Sequence, residues 1–96
     1  MGYEELLKEQ RVQILDIAAR YGARNVRVFG SVARGHADEA SDVDFLVEMD
    51  AGRSLFHLGE LQFELEAVLG WRVDVVTERG LKSRIRSRVL QKAIPL

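Results

Sequence analysis

Two aspartates, Asp42 and Asp44, open the apolar run Val43-Asp44-Phe45-Leu46-Val47, and a third interrupts Arg72-Val73-Asp74-Val75-Val76. Carboxylates are depleted in strands and costly to bury alone, so a fold that builds strands from both runs must supply a compensating group. Side chains at i and i+2 of a strand share a face, which lets Asp42 and Asp44 present to one point. Asp74, on a neighbouring strand, lies one or two strand spacings away, roughly 5 to 10 Å. Like charges at that range repel unless neutralised, and hard oxygen donors suit magnesium, with manganese as a substitute. Magnesium takes only one or two protein carboxylates per ion, so a triad implies one or two ions bridged by phosphate. Two ions so placed sit about 3.5 to 4 Å apart and stabilise both the attacking and the leaving oxygen of an in-line displacement. Taken alone, Asp42 reads first as a solvated turn residue, or as part of a Ser-Asp turn with Ser41. Asp38, Glu39 and Asp50 read as loop acids.

The segments around these aspartates alternate between helix and strand. Leu7, Ile14, Ile17, Ala18 and Tyr21 fall near helical spacing, predicting one amphipathic helix from Glu4 to Tyr21 that ends at Gly22. Residues 24–29 place Val26 and Val28 on one face of a strand that runs into Gly30. Residues 43–48 form the second strand. Ser54 caps a helix from Leu55 to Leu69, with Gly70 beyond its end and a stripe of Leu55, Leu58, Leu61, Leu65, Val68 and Leu69. Gly59 weakens that helix by about 1 kcal/mol relative to alanine, with no reason visible in the sequence. Trp71 to Thr77 is the third strand, and Leu81 to Ala93 a closing helix before Pro95. If Gly30 and the aspartates belong to one site, the first two strands run antiparallel. A helical crossover then joins the second to the third in parallel. The expected fold is α/β (α+β): a three-stranded mixed sheet flanked by about four helices, on a single domain covering 1–96.

The turn Gly30-Ser31 adds a second chemical element. A residue without a side chain lets backbone approach a phosphate, and a hydroxyl with free amides binds its oxygens. Such pairs also fill inert turns, and here the separation from Asp42 is what would bring both to one end of the sheet. Arg34 is the nearest fixed positive charge, for phosphate or for a loop acid, and Gly35 serves the bend. His36 and His57 show no zinc spacing. Trp71 and the leucine stripe read as core.

Composition excludes several classes. Fourteen basic residues against fifteen acidic ones give a net charge of −1, no signature of a nucleic-acid or membrane-surface binder. One segment departs from this balance. Residues 78–92 hold Arg79, Lys82, Arg84, Arg86, Arg88 and Lys92 against Glu78, a solvated basic helix face or a surface for phosphates or an acidic partner. The chain has no cysteine, so thiolate metal sites and disulfides are excluded. No apolar run approaches a membrane span, and a cytoplasmic location is expected.

The run Gly30-Ser31-Val32-Ala33-Arg34-Gly35, five residues, then Ser41-Asp42-Val43-Asp44 and Phe45-Leu46-Val47 resembles the signature of the minimal nucleotidyltransferases of the DNA polymerase beta superfamily. Asp74 matches the third acid of that pattern, and the resemblance covers nearly the whole chain. It implies transfer of a nucleoside monophosphate, most often from ATP, to a hydroxyl, with pyrophosphate leaving. Gly30 and Ser31 would hold the triphosphate, Asp42 and Asp44 would bind both magnesium ions, and Asp74 would bind the catalytic ion or act as general base. Relatives with small-molecule, RNA or DNA acceptors carry extra domains, for which 96 residues leave no room. Proteins of this kind are commonly encoded beside a HEPN-domain ribonuclease toxin and adenylylate one of its tyrosines. The resemblance therefore implies an antitoxin acting as a protein adenylyltransferase, in a possible hetero-oligomer with its toxin. Two alternatives stand beside it: neutralisation by binding alone, and a nucleotidyltransferase subunit for a small molecule or nucleic acid.

Overall fold

The computed structural model describes residues 3–30 and 42–96. Their elements run α1 (Tyr3–Glu9), α2 (Arg11–Arg20), β1 (Ala23–Phe29), β2 (Val43–Met49), α3 (Leu55–Leu69), β3 (Val73–Thr77), a 3-10 turn (Glu78–Gly80), α4 (Ser83–Lys92) and β4 (Ile94–Pro95). The single N-terminal helix expected from spacing is two helices. Gln10, at φ −96° and ψ 5°, leaves helical geometry between them, although hydrogen bonds still reach it from both sides. The third strand and the last helix each begin two residues later than expected, at Val73 and Ser83.

The sheet has four strands in the order β3-β2-β1-β4 rather than three. The first two strands are antiparallel and β2 and β3 parallel, as the convergence argument requires. The extra strand is two residues long and pairs Ile94 with Val28 and Pro95 with Arg27. Proline, which cannot donate to a ladder, is tolerated on such an edge, and this is why the strand left no mark in the periodicity.

One face of the sheet carries the core. Val26 and Val28 of β1, Val43, Phe45 and Val47 of β2, and Val73 and Val75 of β3 pack with Ile14, Ile17, Leu61, Leu65 and Leu69 of α2 and α3. Seen from the sequence, α3 has the right bounds and both caps. Ser54 Oγ accepts from Phe56 N at 3.2 Å while His57 Nδ1 accepts from Ser54 N at 3.1 Å, a reciprocal box that satisfies orphan amides of the first turn. Gly70 closes the helix at φ 71°, a left-handed conformation cheap only for glycine. Leu55 departs from the expected core stripe and is exposed.

A bulge interrupts the alternation of β1. Between the pairs Arg24↔Glu48 and Arg27↔Leu46 the first strand spends one residue more than the second, and Asn25 takes φ 51°. Asparagine tolerates this conformation better than most residues. The offset lets Ala23 and Val26, three residues apart, both be buried, and alternation with Val26 and Val28 puts Arg27 and Phe29 on the opposite face.

Candidate active site

Strand alternation fixes the site's side of the sheet. Because Val43, Phe45, Val73 and Val75 face the helices, Asp42, Asp44 and Asp74 belong to the other face. In the parallel β2/β3 ladder Asp44 is the register partner of Asp74, so these two carboxylates stand side by side, about one strand spacing of 4.8 Å apart at the backbone. On its other flank, Asp44 is the partner of Phe29, the last residue of β1. Gly30 follows at once, at φ 75°, and a Cβ built there would collide with Asp44 Oδ2 and lie 3.2 Å from Asp44 Cγ. Two independent reasons thus demand glycine: the left-handed backbone and the carboxylate against it. Chain turn and carboxylate pair form one structure.

Asp42 is placed differently. Its Oδ1 accepts from Arg72 Nε at 3.1 Å, with the two side chains 48% and 72% exposed. Arg72 lies beside Asp42 because Val43 N donates to Arg72 O and the next residues, Val43 and Val73, are register partners. Sequence reasoning missed Arg72, although counting back two from Asp74 puts it on the same face. Among the described residues, no three histidine, aspartate or glutamate side chains converge closely enough to hold an ion. The structure brings together Asp44 and Asp74, with Gly30 against the first, and leaves Asp42 beside them on an arginine.

Burial corrects the electrostatic premise. Asp74 and Asp42 are exposed and Asp44 is half-buried, so the carboxylates are not sunk in the interior. They lie on the uncovered part of a sheet face whose deeper part is closed, with Leu46 at 0% exposure. Adjacency of the two carboxylates, rather than their desolvation, is what calls for a cation. The donor set does fit one: two neighbouring carboxylates are what magnesium accepts from protein before water and phosphate oxygens complete its shell. Arg27, on this face by alternation with Val26 and Val28, has a buried Nη2 with no hydrogen-bond partner among the described residues, while its Nε donates to Asn25 O at 3.3 Å. Ser31, Arg34, Gly35, His36 and Ser41 lie outside the described residues.

A mixed sheet that ends a strand in a glycine turn against one of two paired aspartates is the framework of an enzyme that transfers nucleotidyl groups. The chain belongs to the nucleotidyltransferase domain family, whose model matches residues 11–96. It is 46% identical over 79 residues to the protein adenylyltransferase MntA of Thermococcus cleftensis, covering 82% of this chain and 80% of that one. A solved structure described as a candidate minimal nucleotidyltransferase superposes with a TM-score of 0.88 at 52% identity, covering 100% of this chain and 97% of the other. The fold alone extends to a toxin–antitoxin structure with AMP-PNP, at a TM-score of 0.74 and 21% identity over 88% of this chain and 69% of that one.

Proposed function

We propose that residues 1–96 form one nucleotidyltransferase domain that moves AMP from ATP to a tyrosine hydroxyl of a HEPN ribonuclease toxin, and so acts as its antitoxin. The observation that carries the reading is the register pairing of Asp44 with Asp74 beside Gly30, and the name of the Thermococcus relative supports a protein acceptor. Asp44 and Asp74 would hold magnesium, with Asp42 joining them once released from Arg72. When bound, the ions supply Lewis-acid stabilisation of the α-phosphate and the departing pyrophosphate.

The chain's own residues do the rest. Gly30, lacking a side chain, lets the Asp44 carboxylate lie directly against the turn, so that triphosphate held beside Asp44 would meet the turn's backbone, and Ser31 would add a hydroxyl and an amide. Asp74, exposed at the sheet's face, is reachable by a tyrosine carried on a folded protein. It would ligate or take the hydroxyl proton as general base. Arg34 would contact phosphate.

Incubation with ATP, magnesium and the toxin, followed by digestion and mass spectrometry, tests this. An AMP-modified tyrosine is the expected result. An unmodified toxin, with or without manganese in place of magnesium, refutes the transfer. The Arg72–Asp42 ion pair is the one observation favouring neutralisation by binding alone. On that reading, Asp42→Ala with Asp44→Ala would still silence the toxin.

A further inference from the structure

Helix α3 is apolar on two sides, and its fold uses only one. Leu61, Leu65 and Leu69 are buried in the core, with Leu58 packed against it. Phe56, Gly59, Phe63 and Ala67 follow one another at i, i+3, i+7 and i+11, a stripe on the outward arc of the same helix. Phe56 and Phe63 expose 83% and 75% of their surface and Leu55 a further 83%. A surface helix ordinarily turns charge to solvent, whereas one apolar on both sides is a helix sandwiched between partners. These side chains line a shallow hollow together with Gly59 and Glu60.

Gly59 sharpens the point. A Cβ there would meet nothing within 4 Å, so no contact among the described residues requires glycine at a position where it costs the helix stability. Between two exposed phenylalanines, the missing side chain opens the hollow in which a second helix can come close.

Charge selects the occupant. Helix α3 contains Glu60, Glu64 and Glu66 and no lysine or arginine. Glu64 is engaged from inside, accepting from the Tyr21 hydroxyl at 2.6 Å and lying 4.0 Å from Arg20. Glu60 borders one edge of the stripe and Glu66 the other. A second copy of this chain laid on the same stripe would set these glutamates against their equivalents, which like-charge repulsion disfavours.

We propose that the Phe56-Gly59-Phe63-Ala67 face docks an amphipathic helix of the partner toxin, one with an apolar row flanked by lysines and arginines. This rests on the proposed function for the partner's identity, and it places stable association on the side of the sheet opposite the aspartates.

Titration calorimetry of the chain with the toxin, without ATP, tests it. Phe56→Ser with Phe63→Ser is expected to weaken binding at least about tenfold, as removal of two interface aromatics does. Glu60→Lys with Glu66→Lys weakens it too. Gly59→Gln is expected to melt at least as high as the parent chain and yet to bind less tightly, which separates docking from folding. Affinity untouched by all three variants overturns the inference while leaving the transfer reading intact. Absence of any complex overturns the docking inference as well, while the transfer reading stands or falls on modification of the toxin tyrosine. A dimer of the isolated chain that Phe63→Ser dissolves, seen by light scattering, makes a second copy the occupant and also overturns it.

Discussion

Replacing Gly30 by alanine separates two costs that the structure superimposes at one position. The residue sits at φ 75°, where a side chain costs about 1–2 kcal/mol. In a chain of this size, 1 kcal/mol lowers the melting temperature by about 4–8 °C, so backbone strain alone predicts a drop of about 4–16 °C. The new methyl group must also displace the Asp44 carboxylate, since it would overlap Oδ2. A misplacement of about 1 Å in a reacting constellation costs about a hundredfold in rate. Gly52 is the internal control: its φ is 88°, and nothing lies within 4 Å of the position a Cβ would take. Gly52→Ala should therefore melt lower by a similar amount and transfer nucleotide as the parent does. The assay pairs thermal melts with initial rates of pyrophosphate release, at a temperature where both variants are folded. Equal losses of activity in the two variants, or full activity in Gly30→Ala, would refute the coupling of the turn to Asp44.

Other perturbations discriminate further. Arg72→Met breaks an exposed ion pair worth about 0–1 kcal/mol, so the magnesium concentration for half-maximal activity should fall as Asp42 is freed. An unchanged requirement contradicts that role for the pair. Ser54→Ala removes the α3 cap and should cost about 0.5–2 kcal/mol by denaturant titration, with transfer per folded molecule unaltered. The Tyr21 hydroxyl is pushed above its usual pKa, first by its hydrogen bond to Glu64, then by burial and by the charges of Glu64 and Glu60. A raised pKa means the folded state keeps the proton longer, so the stability gained from this contact holds below about pH 10 and is lost as pH rises past it. The melting advantage of the parent over Tyr21→Phe should accordingly shrink in alkaline buffer and remain level through neutrality.

Much of the site was legible because its geometry follows from periods. Alternation put the aspartates on one face, and the crossover through a helix made β2 and β3 parallel, which together bring Asp44 beside Asp74. Capping chemistry at Ser54 and Gly70 fixed α3 to the residue. What escaped depended on departures from a period. The bulge at Asn25 breaks the period between Ala23 and Val26, so the burial of both is invisible to alternation, although Val26 and Val28 already put Arg27 opposite them. Arg72 holds Asp42 through a cross-strand contact that only register reveals. The strand at Ile94 and Pro95 is too short to carry a pattern. Burial was misjudged in one respect, since a strand flanked by valines suggested an interior Asp74, whereas Asp74 is exposed at the end of a face that closes only deeper in, at Leu46.

Among the described residues no helix is long and apolar enough to cross a membrane, and Asp74 is exposed. The central claim is that Asp44 and Asp74 jointly support metal-dependent nucleotidyl transfer. Its most direct test is transfer of label from α-phosphate-labelled ATP to the toxin, followed over a magnesium titration for the parent chain, Asp44→Asn and Asp74→Asn. The account predicts magnesium-dependent labelling by the parent and a loss of at least about a hundredfold in each variant. Labelling that persists in either variant, or that proceeds at the parent rate in excess chelator, would contradict it.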